Sequence, residues 1–500
     1  MPGRSGDSSR WVRGASALAL CATVALAGCA TVEPADPYAV EPIARHLERD
    51  DNVGYCARLF ADIDRRVDAL AARDAEAPRI AGFPYLRVDR LAAALAPRAE
   101  FDGPARKAWL ARLATLDDAG RTAELANAML PSDDLARCRV LLGATDAASI
   151  DSLRARARVP DAYSAGARVI GLYPVTQLLV AANEARWQEE TRAVFALPLD
   201  QLPVQGRLTR FGVRTAWPVP EVALPVPGDP LGLPVLSRLD RTALLVRHAP
   251  LLEVDVRAAY DRPGELGLDS TGLPVVDPEQ PVAYTRVTHA LFEDGARLQL
   301  VYSFWFSERP ARDVLDPLSG RIDGLVWRVT LDKDGNPLVY DAMRPSGRNH
   351  LFFPTERVVA RPQADTLDER MFSPQAVRAP KRDEVVVLRI ESGTHYLQRV
   401  SVEPRAQPAV RYQLDDDRRP TTLPSAAGGT RSVFGVDGLM PGTERGERHL
   451  LWPTGVASPG QMRQWGHHAT ALVGRRHFDD PHLLGSYFAL RPAASTAKAP

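Results

Sequence analysis

The chain has 500 residues, 45% of them hydrophobic, 25% charged and 7% aromatic, with 62 basic and 62 acidic side chains. This is the composition of a globular protein long enough for two or three cores, and it excludes a wholly disordered, collagen-like or polytopic membrane chain. Zero net charge argues against nucleic acid as a partner, because such partners select a basic surplus. Only four of the cations are lysines, Lys107, Lys333, Lys381 and Lys498. An arginine excess can signal phosphate recognition, since guanidinium grips oxyanions in a bidentate fork. Here the arginines are interleaved with acids, and they read as the composition of a GC-rich genome.

Arg4, Arg10 and Arg13 open the chain. Gly14 to Gly28 (GASALALCATVALAG) is apolar, yet shorter than the about 20 residues a spanning helix needs, so residues 1–28 read as a secretory leader. The leader ends in Leu26-Ala27-Gly28-Cys29, which resembles the lipobox of bacterial lipoprotein precursors. That resemblance implies diacylglycerol on the Cys29 sulfur, cleavage after Gly28 and acylation of the new amino terminus. Several acyl chains hold a protein to a bilayer where one does so only marginally. Ala30 follows the cysteine. In the enteric sorting rule Asp at that place retains a lipoprotein in the inner membrane, so Ala implies the outer membrane, with the protein facing the periplasm.

Residues 29–40 form a tether, and residues 41–195 read as a mainly helical domain. Cys56, Leu59, Phe60, Ile63, Val67 and Leu70 make one apolar stripe of a helix. A second helix starts at Gly103-Pro104, with Pro at its first position, and carries Trp109, Leu110 and Leu113. A third follows Ser132 or Asp133 as cap and carries Leu135, Cys138, Leu141 and Leu142. A fourth covers Thr176 to Val194. Cys21 leaves with the leader and Cys29 takes lipid, so Cys56 and Cys138 remain as an even pair in an oxidising compartment. Two packed helices would bring them together. The bridge would close a loop of about 80 residues and contribute roughly 4 kcal/mol; the alternative is two buried thiols.

Eight prolines crowd residues 198–234. Proline removes backbone donors and fixes φ, so residues 196–239 read as an extended, packed connection, neither helix nor central strand. Beyond it the apolar period becomes two, as in Leu298, Leu300, Tyr302, Phe304 and Phe306. Turns at Glu293-Asp294-Gly295, Asp332–Asn336 and Ser392-Gly393 predict three hairpins within an antiparallel β domain over 240–452. Asp332-x-Asp334-Gly335-Asn336 mimics the start of a calcium loop, but Pro337 stands where such a loop needs Gly, and the flanks are strands. Ser458 as cap, Pro459, and the spacing of Met462, Trp465, Ala469, Leu472 and Val473 predict a helix within a C-terminal helical region, 453–490; 491–500 reads as a disordered tail. The fold class is therefore α+β: a helical N-terminal domain, then a mainly antiparallel β domain closed by C-terminal helices.

No nucleophile elbow, P-loop, dinucleotide fingerprint or H-E-x-x-H motif is present. Histidine clusters late, at His449, His467, His468, His477 and His482, with Asp479 and Asp480 beside His477. His350 lies in the polar loop Arg344-Pro345-Ser346-Gly347-Arg348-Asn349-His350. His350, His468 and His477 are candidate ligands of a divalent metal, with a fourth position left for water; solvated or helix-capping histidines are the alternative. Glu391 and His395 flank a tight turn and suggest a cross-strand ion pair. Trp305, Trp327 and Trp452 are candidates for a ligand platform or for core packing. Segments such as Gly82–Val88, Gly171-Leu172-Tyr173-Pro174 and Gly474–Pro481 look like ones in uncharacterised bacterial envelope proteins, a resemblance that carries no assigned activity. The leading expectation is an envelope lipoprotein engaged in binding or envelope maintenance. The rivals are a His/carboxylate metal-dependent hydrolase and a lipoprotein subunit of a larger assembly.

Overall fold

The computed structural model describes residues 36–97, 103–213, 222, 224 and 228–491. The leader, Cys29, most of the tether and the tail from residue 492 lie outside the described residues. The rest is α+β, a helical N-terminal region followed by sheets and short C-terminal helices.

Helix α1 (Asn52–Ala69) begins where the Asp51 carboxylate accepts hydrogen bonds from the Val53 and Gly54 amides, two donors that a helix N-terminus otherwise leaves unpaired. It buries Cys56, Phe60, Ile63 and Val67, the expected stripe, whereas Leu70 falls past the last turn and is exposed. Helix α2 (Gly103–Ala128) buries Trp109 and Leu113. The cap of helix α3 (Leu135–Thr145) falls two residues past Ser132 and one past Asp133. Asp134 occupies the cap in the left-handed region, φ 64°, and its carboxylate bonds Arg137 and Tyr55 instead of helix amides. Helix α4 (Tyr173–Ala196) starts three residues early because Pro174 occupies its first turn. Val175, Leu178 and Leu179 are exposed on it.

Cys56 of α1 and Cys138 of α3, 82 positions apart in sequence, are disulfide-bonded, with Cα atoms 5.0 Å apart. Replacing both by Ser should lower the unfolding free energy by about 2–4 kcal/mol, read as a drop in urea midpoint. An unchanged midpoint would mean that the helical region needs no cross-link.

Buried ions reinforce these helices. Arg87, at the end of the short strand Phe83–Arg87, donates to Asp117 at 3.2 Å and Glu124 at 2.7 Å on α2. Arg121 of α2 donates to Asp64 of α1 at 2.6 Å. A Cβ at Gly120 would lie 2.6 Å from Arg87 Nη1, so glycine there is what lets the guanidinium pass. A second set of charges joins this region to the sheets. Arg286 donates to both oxygens of Glu76, at 2.6 and 2.8 Å, and Arg418 donates to Asp74 and Glu76 at 2.8 and 2.7 Å.

The longest proline-free stretch of the proline-rich connection, 204–217, holds a strand. β1 (Arg207–Gly212) lies inside a five-stranded sheet with β2 (Leu251–Val256). The expectation of no internal strand between 196 and 239 is thereby corrected: between Pro203 and Pro218 every residue keeps its backbone donor. The larger sheet begins with β3 (Val282–Phe292), β4 (Gly295–Arg309), β5 (Gly320–Leu331) and β6 (Pro337–Met343), which pair antiparallel in succession, then β7 (Leu351–Pro354). β8 (Glu384–Ile390) and β9 (Leu397–Pro404) return to the smaller sheet, β10 (Val410–Arg411) ends it, and β11 (Gln413–Asp416) ends the larger one. The orders are β7-β6-β5-β4-β3-β11 and β9-β8-β2-β1-β10. All three expected hairpins form. The pairings β8·β2, β10·β1 and β11·β3 are parallel.

The alternation in β4 sorts its two faces. Leu298, Leu300, Tyr302 and Phe304 join Trp327, Val329 and Tyr340 in a core shared with Phe211, Leu252, Val254, Val386 and Leu388 of the smaller sheet and with Leu244 of helix α5 (Arg238–His248). Val301 and Trp305 face the other way and are covered by C-terminal residues such as Met462 and Phe478. That covering segment corrects an expectation. Residues 455–482 contain no helix; the C-terminal helices are Arg448–Leu451 and α6 (Leu483–Tyr487). Gly460, Gly466 and Gly474 adopt φ of +86°, +90° and +84° and break the helical spacing into turns.

Candidate functional site

The three histidines expected to share a metal have separate duties. His350 Nε2 lies 2.8 Å from Asp341 Oδ2, and its ring stacks on Phe352 at 4.1 Å. His468 packs edge-on to Phe478 at 6.4 Å, its ring beside the carbonyls of Pro345 and Arg463. His477 reaches the helical region, with Nε2 3.2 Å from Asp161 and its ring edge-on to Tyr163 at 5.4 Å. Among the described residues, no group of three or more His, Cys, Asp or Glu side chains is placed to hold a metal ion. His350 and His468 reach Phe478 from the β6–β7 loop and the C-terminal segment, but a phenyl ring fills the space where the metal was expected.

The other expectations resolve similarly. Asp332 Oδ1 accepts from the Asp334 and Asn336 amides, so the calcium-like run is a hairpin turn. Trp327 and Trp305 are buried on opposite faces of the sheet and Trp452 is exposed, so the three form no platform. The Glu391 carboxylate accepts from the Thr394 hydroxyl instead of meeting the His395 ring.

His395 goes inward. Its backbone takes the left-handed region, φ 54°, in the β8–β9 turn. The ring stacks flat on Phe306 at 4.1 Å. Nδ1 lies 2.9 Å from Asp323, and Nε2 lies 3.1 Å from the Tyr260 carbonyl and 3.5 Å from Asp261. Both nitrogens face acceptors that cannot donate, which selects the doubly protonated imidazolium. Burial pushes its pKa down, but the hydrogen bonds and charges of Asp261 and Asp323 outweigh burial and raise it. A ring so held is no general base; it is a fixed positive group.

Beside it the end of the sandwich opens. A cavity of about 260 Å³ lies between α4 and the strand ends. Its apolar wall is Trp187, Val194, Leu325, Met343, Leu351 and Leu397; its polar groups include Arg344, Asn349, Glu391, His395, Tyr396 and Gln398. Arg344, Asn349 and Tyr396 also line an adjoining corner of about 20 Å³, completed by Ser346, Arg348, Arg445, Glu447 and Gly460. Tyr396 is the hub. The guanidinium carbons of Arg309 and Arg344 lie 5.1 and 5.3 Å from its ring centre, and both side chains donate to the Thr394 carbonyl, at 3.2 and 3.1 Å.

These residues come from the end of β4, the β6–β7 loop, the β8–β9 turn and the C-terminal segment. The Arg344–His350 loop stands out in the sequence for its histidine, whereas Arg344 and Asn349 line the cavity and Arg348 its corner. The only sequence signal for the rest was the arginine content, which cannot distinguish one guanidinium from another.

No protein-family model matches the chain, and no curated protein or solved structure matches it.

Proposed function

We propose that the protein is a cell-envelope lipoprotein, anchored through Cys29 to the outer membrane and facing the periplasm, that binds a small amphiphilic ligand in the cavity beneath α4. The observation that carries the binding role is the cavity itself: one apolar wall with a few convergent polar groups on rigid strand ends is the usual composition of a ligand site. The leader ending at Cys29 supports the location, and the Cys56–Cys138 bridge suits an oxidising compartment.

Two measurements test this. Cys29→Ser should abolish lipid labelling and leave unprocessed precursor, and unchanged labelling would overturn the anchor. For binding, the chain purified without its leader should give saturable heat with 1-octanol in titration calorimetry. Leu397→Trp, which fills the cavity, should remove that heat while the fold remains cooperative. Equal heats from both proteins would place the ligand elsewhere.

A further inference from the structure

Three guanidiniums, of Arg344, Arg348 and Arg445, line the corner beside the cavity, and that of Arg309 lies behind them against the Tyr396 ring; the four are poorly matched by carboxylates. Arg344 is paired with Asp323, and Arg348 donates to Glu447 at 3.0 Å. Arg309 and Arg445 have no carboxylate partner among the described residues. Arg309 reaches only the Thr394 carbonyl, and Arg445 only the Ile322 carbonyl. Arg309 is 1% exposed and Arg445 3% exposed. Arg309 Nε and Nη2 and Arg445 Nη1 have no hydrogen-bond partner among the described residues. The imidazolium of His395 is already balanced between Asp261 and Asp323, and Glu391 is engaged by the Thr394 hydroxyl.

Burying a charge without a counter-charge costs several kcal/mol even after relaxation. Two such charges side by side cost more, because each disfavours the other. Arg445 registers this: burial, aided by repulsion from Arg344 and Arg309, pulls its pKa down to about 10 despite the nearby charges of Asp323 and Glu447, neither of which bonds it. The backbone is also shaped around Arg445. A Cβ at Gly320 would stand 2.0 Å from its Nη1, and one at Gly460 2.3 Å from Glu447 Oε1 and 2.7 Å from Arg445 Cγ, both at positive φ. A chain selected for stability alone would place an apolar side chain here. A chain that binds an anion needs unpaired donors aimed at a water-excluded corner.

We infer that the ligand of this cavity carries an oxyanion, a carboxylate or a phosphate, seated among Arg344, Arg348, Arg445 and Tyr396, with its apolar body against Trp187, Met343 and Leu397. This inference rests on the binding role proposed above and names the ligand's chemistry. The dimensions agree. The corner of about 20 Å³ has room for a small polar group, since a water needs roughly 10–15 Å³ on the same measure. The chamber of about 260 Å³ holds the body.

The test is titration calorimetry with octanoate, octyl phosphate and 1-octanol on the leaderless protein and on its Arg445→Met variant. Arg445 leaves no carboxylate stranded when removed, so the variant should fold, with a Tm equal to or above that of the parent. At least one anion should bind the parent at least about 10-fold tighter than 1-octanol, and Arg445→Met should erase about 10- to 100-fold of that preference, the equivalent of one charge-assisted hydrogen bond. Its 1-octanol affinity should not change. Tighter octanoate binding assigns a carboxylate, and tighter octyl phosphate binding a phosphate. Binding of 1-octanol with no anion preference, or a preference that survives Arg445→Met, would overturn the oxyanion while leaving the binding role. Absence of binding by all three probes would remove both. Arg445→Gln, which keeps a polar side chain and removes the charge, repeats the test should Arg445→Met fail to fold.

Discussion

Asp341→Ala should cost about 3–5 kcal/mol of folding stability, the scale for stranding a buried charge. Asp341 Oδ1 and Oδ2 accept from Arg328 at 2.9 and 2.6 Å, a bidentate pair, and Oδ2 also faces His350 Nε2 at 2.8 Å. All three side chains are essentially inaccessible. Arg328 has two further contacts, the Phe478 carbonyl at 2.6 Å and the Phe478 ring, 3.8 Å below its guanidinium carbon. This set therefore fastens the C-terminal segment onto the outer face of the larger sheet. Without the carboxylate the guanidinium keeps only a carbonyl and a ring face, and the imidazole loses its partner. Asp341→Asn should cost nearly as much, because it keeps the shape and removes the charge. The double variant Arg328→Met, Asp341→Leu should recover most of the loss, since an apolar pair of similar volume replaces a fully desolvated ion pair. Urea denaturation of the four proteins measures the two losses and the recovery. A single-variant loss below about 1 kcal/mol would mean that the segment is held by apolar packing alone, of the kind that joins Val301, Val326 and Phe478.

The parts of the fold legible from sequence were those whose cause is local. The α1 stripe and the β4 alternation each repeat one period long enough to fix an element, and the Asp332–Asn336 turn closes on its own side chains. The Cys56–Cys138 pairing was legible because both residues sit on buried faces of helices that pack together. Residues 458–474 deceived because apolar residues recur at helical spacing there for a different reason. The segment is buried as irregular backbone, so Met462, Ala469, Leu472 and Val473 are covered without sharing a helix face. Three glycines in that stretch were the contrary signal. The cavity was not legible, because Arg309, Arg344, Tyr396 and Arg445 meet only after two sheets and the C-terminal segment are assembled. Nothing in an arginine's local sequence tells whether a carboxylate will stand opposite it.

The histidines that do not gather around a metal should instead make the protein acid-labile. Burial, the largest influence on each, lowers the pKa of His350 and His289 to about 4 and of His468 and His248 to about 3. In the unfolded chain each titrates near 6.5. Between about pH 6.5 and 4 the unfolded state therefore takes up protons that the native state refuses, and stability falls as pH falls, by up to about 1.4 kcal/mol per pH unit for each ring. Asp341, held below the usual carboxylate range by Arg328 and His350 against the opposing effect of burial, extends the loss to lower pH. His395 works in the opposite sense. Its folded pKa is raised, so its contribution is complete below about 6.5 and is lost as pH rises through the folded value. Burial lowers His467 and His477 in the same direction, so one ring opposing six leaves the acid side the steeper. The urea midpoint should fall markedly from pH 7.5 to pH 5, and His468→Phe should remove nearly one proton from that slope, because the phenyl ring fills the same site beside Phe478 and cannot titrate. A midpoint unchanged between the two pH values would show that these rings are charged in the native protein. They would then need counter-charges, and the only carboxylate within ion-pair reach of any of His248, His289, His350 and His468 among the described residues is Asp341, already shared with Arg328.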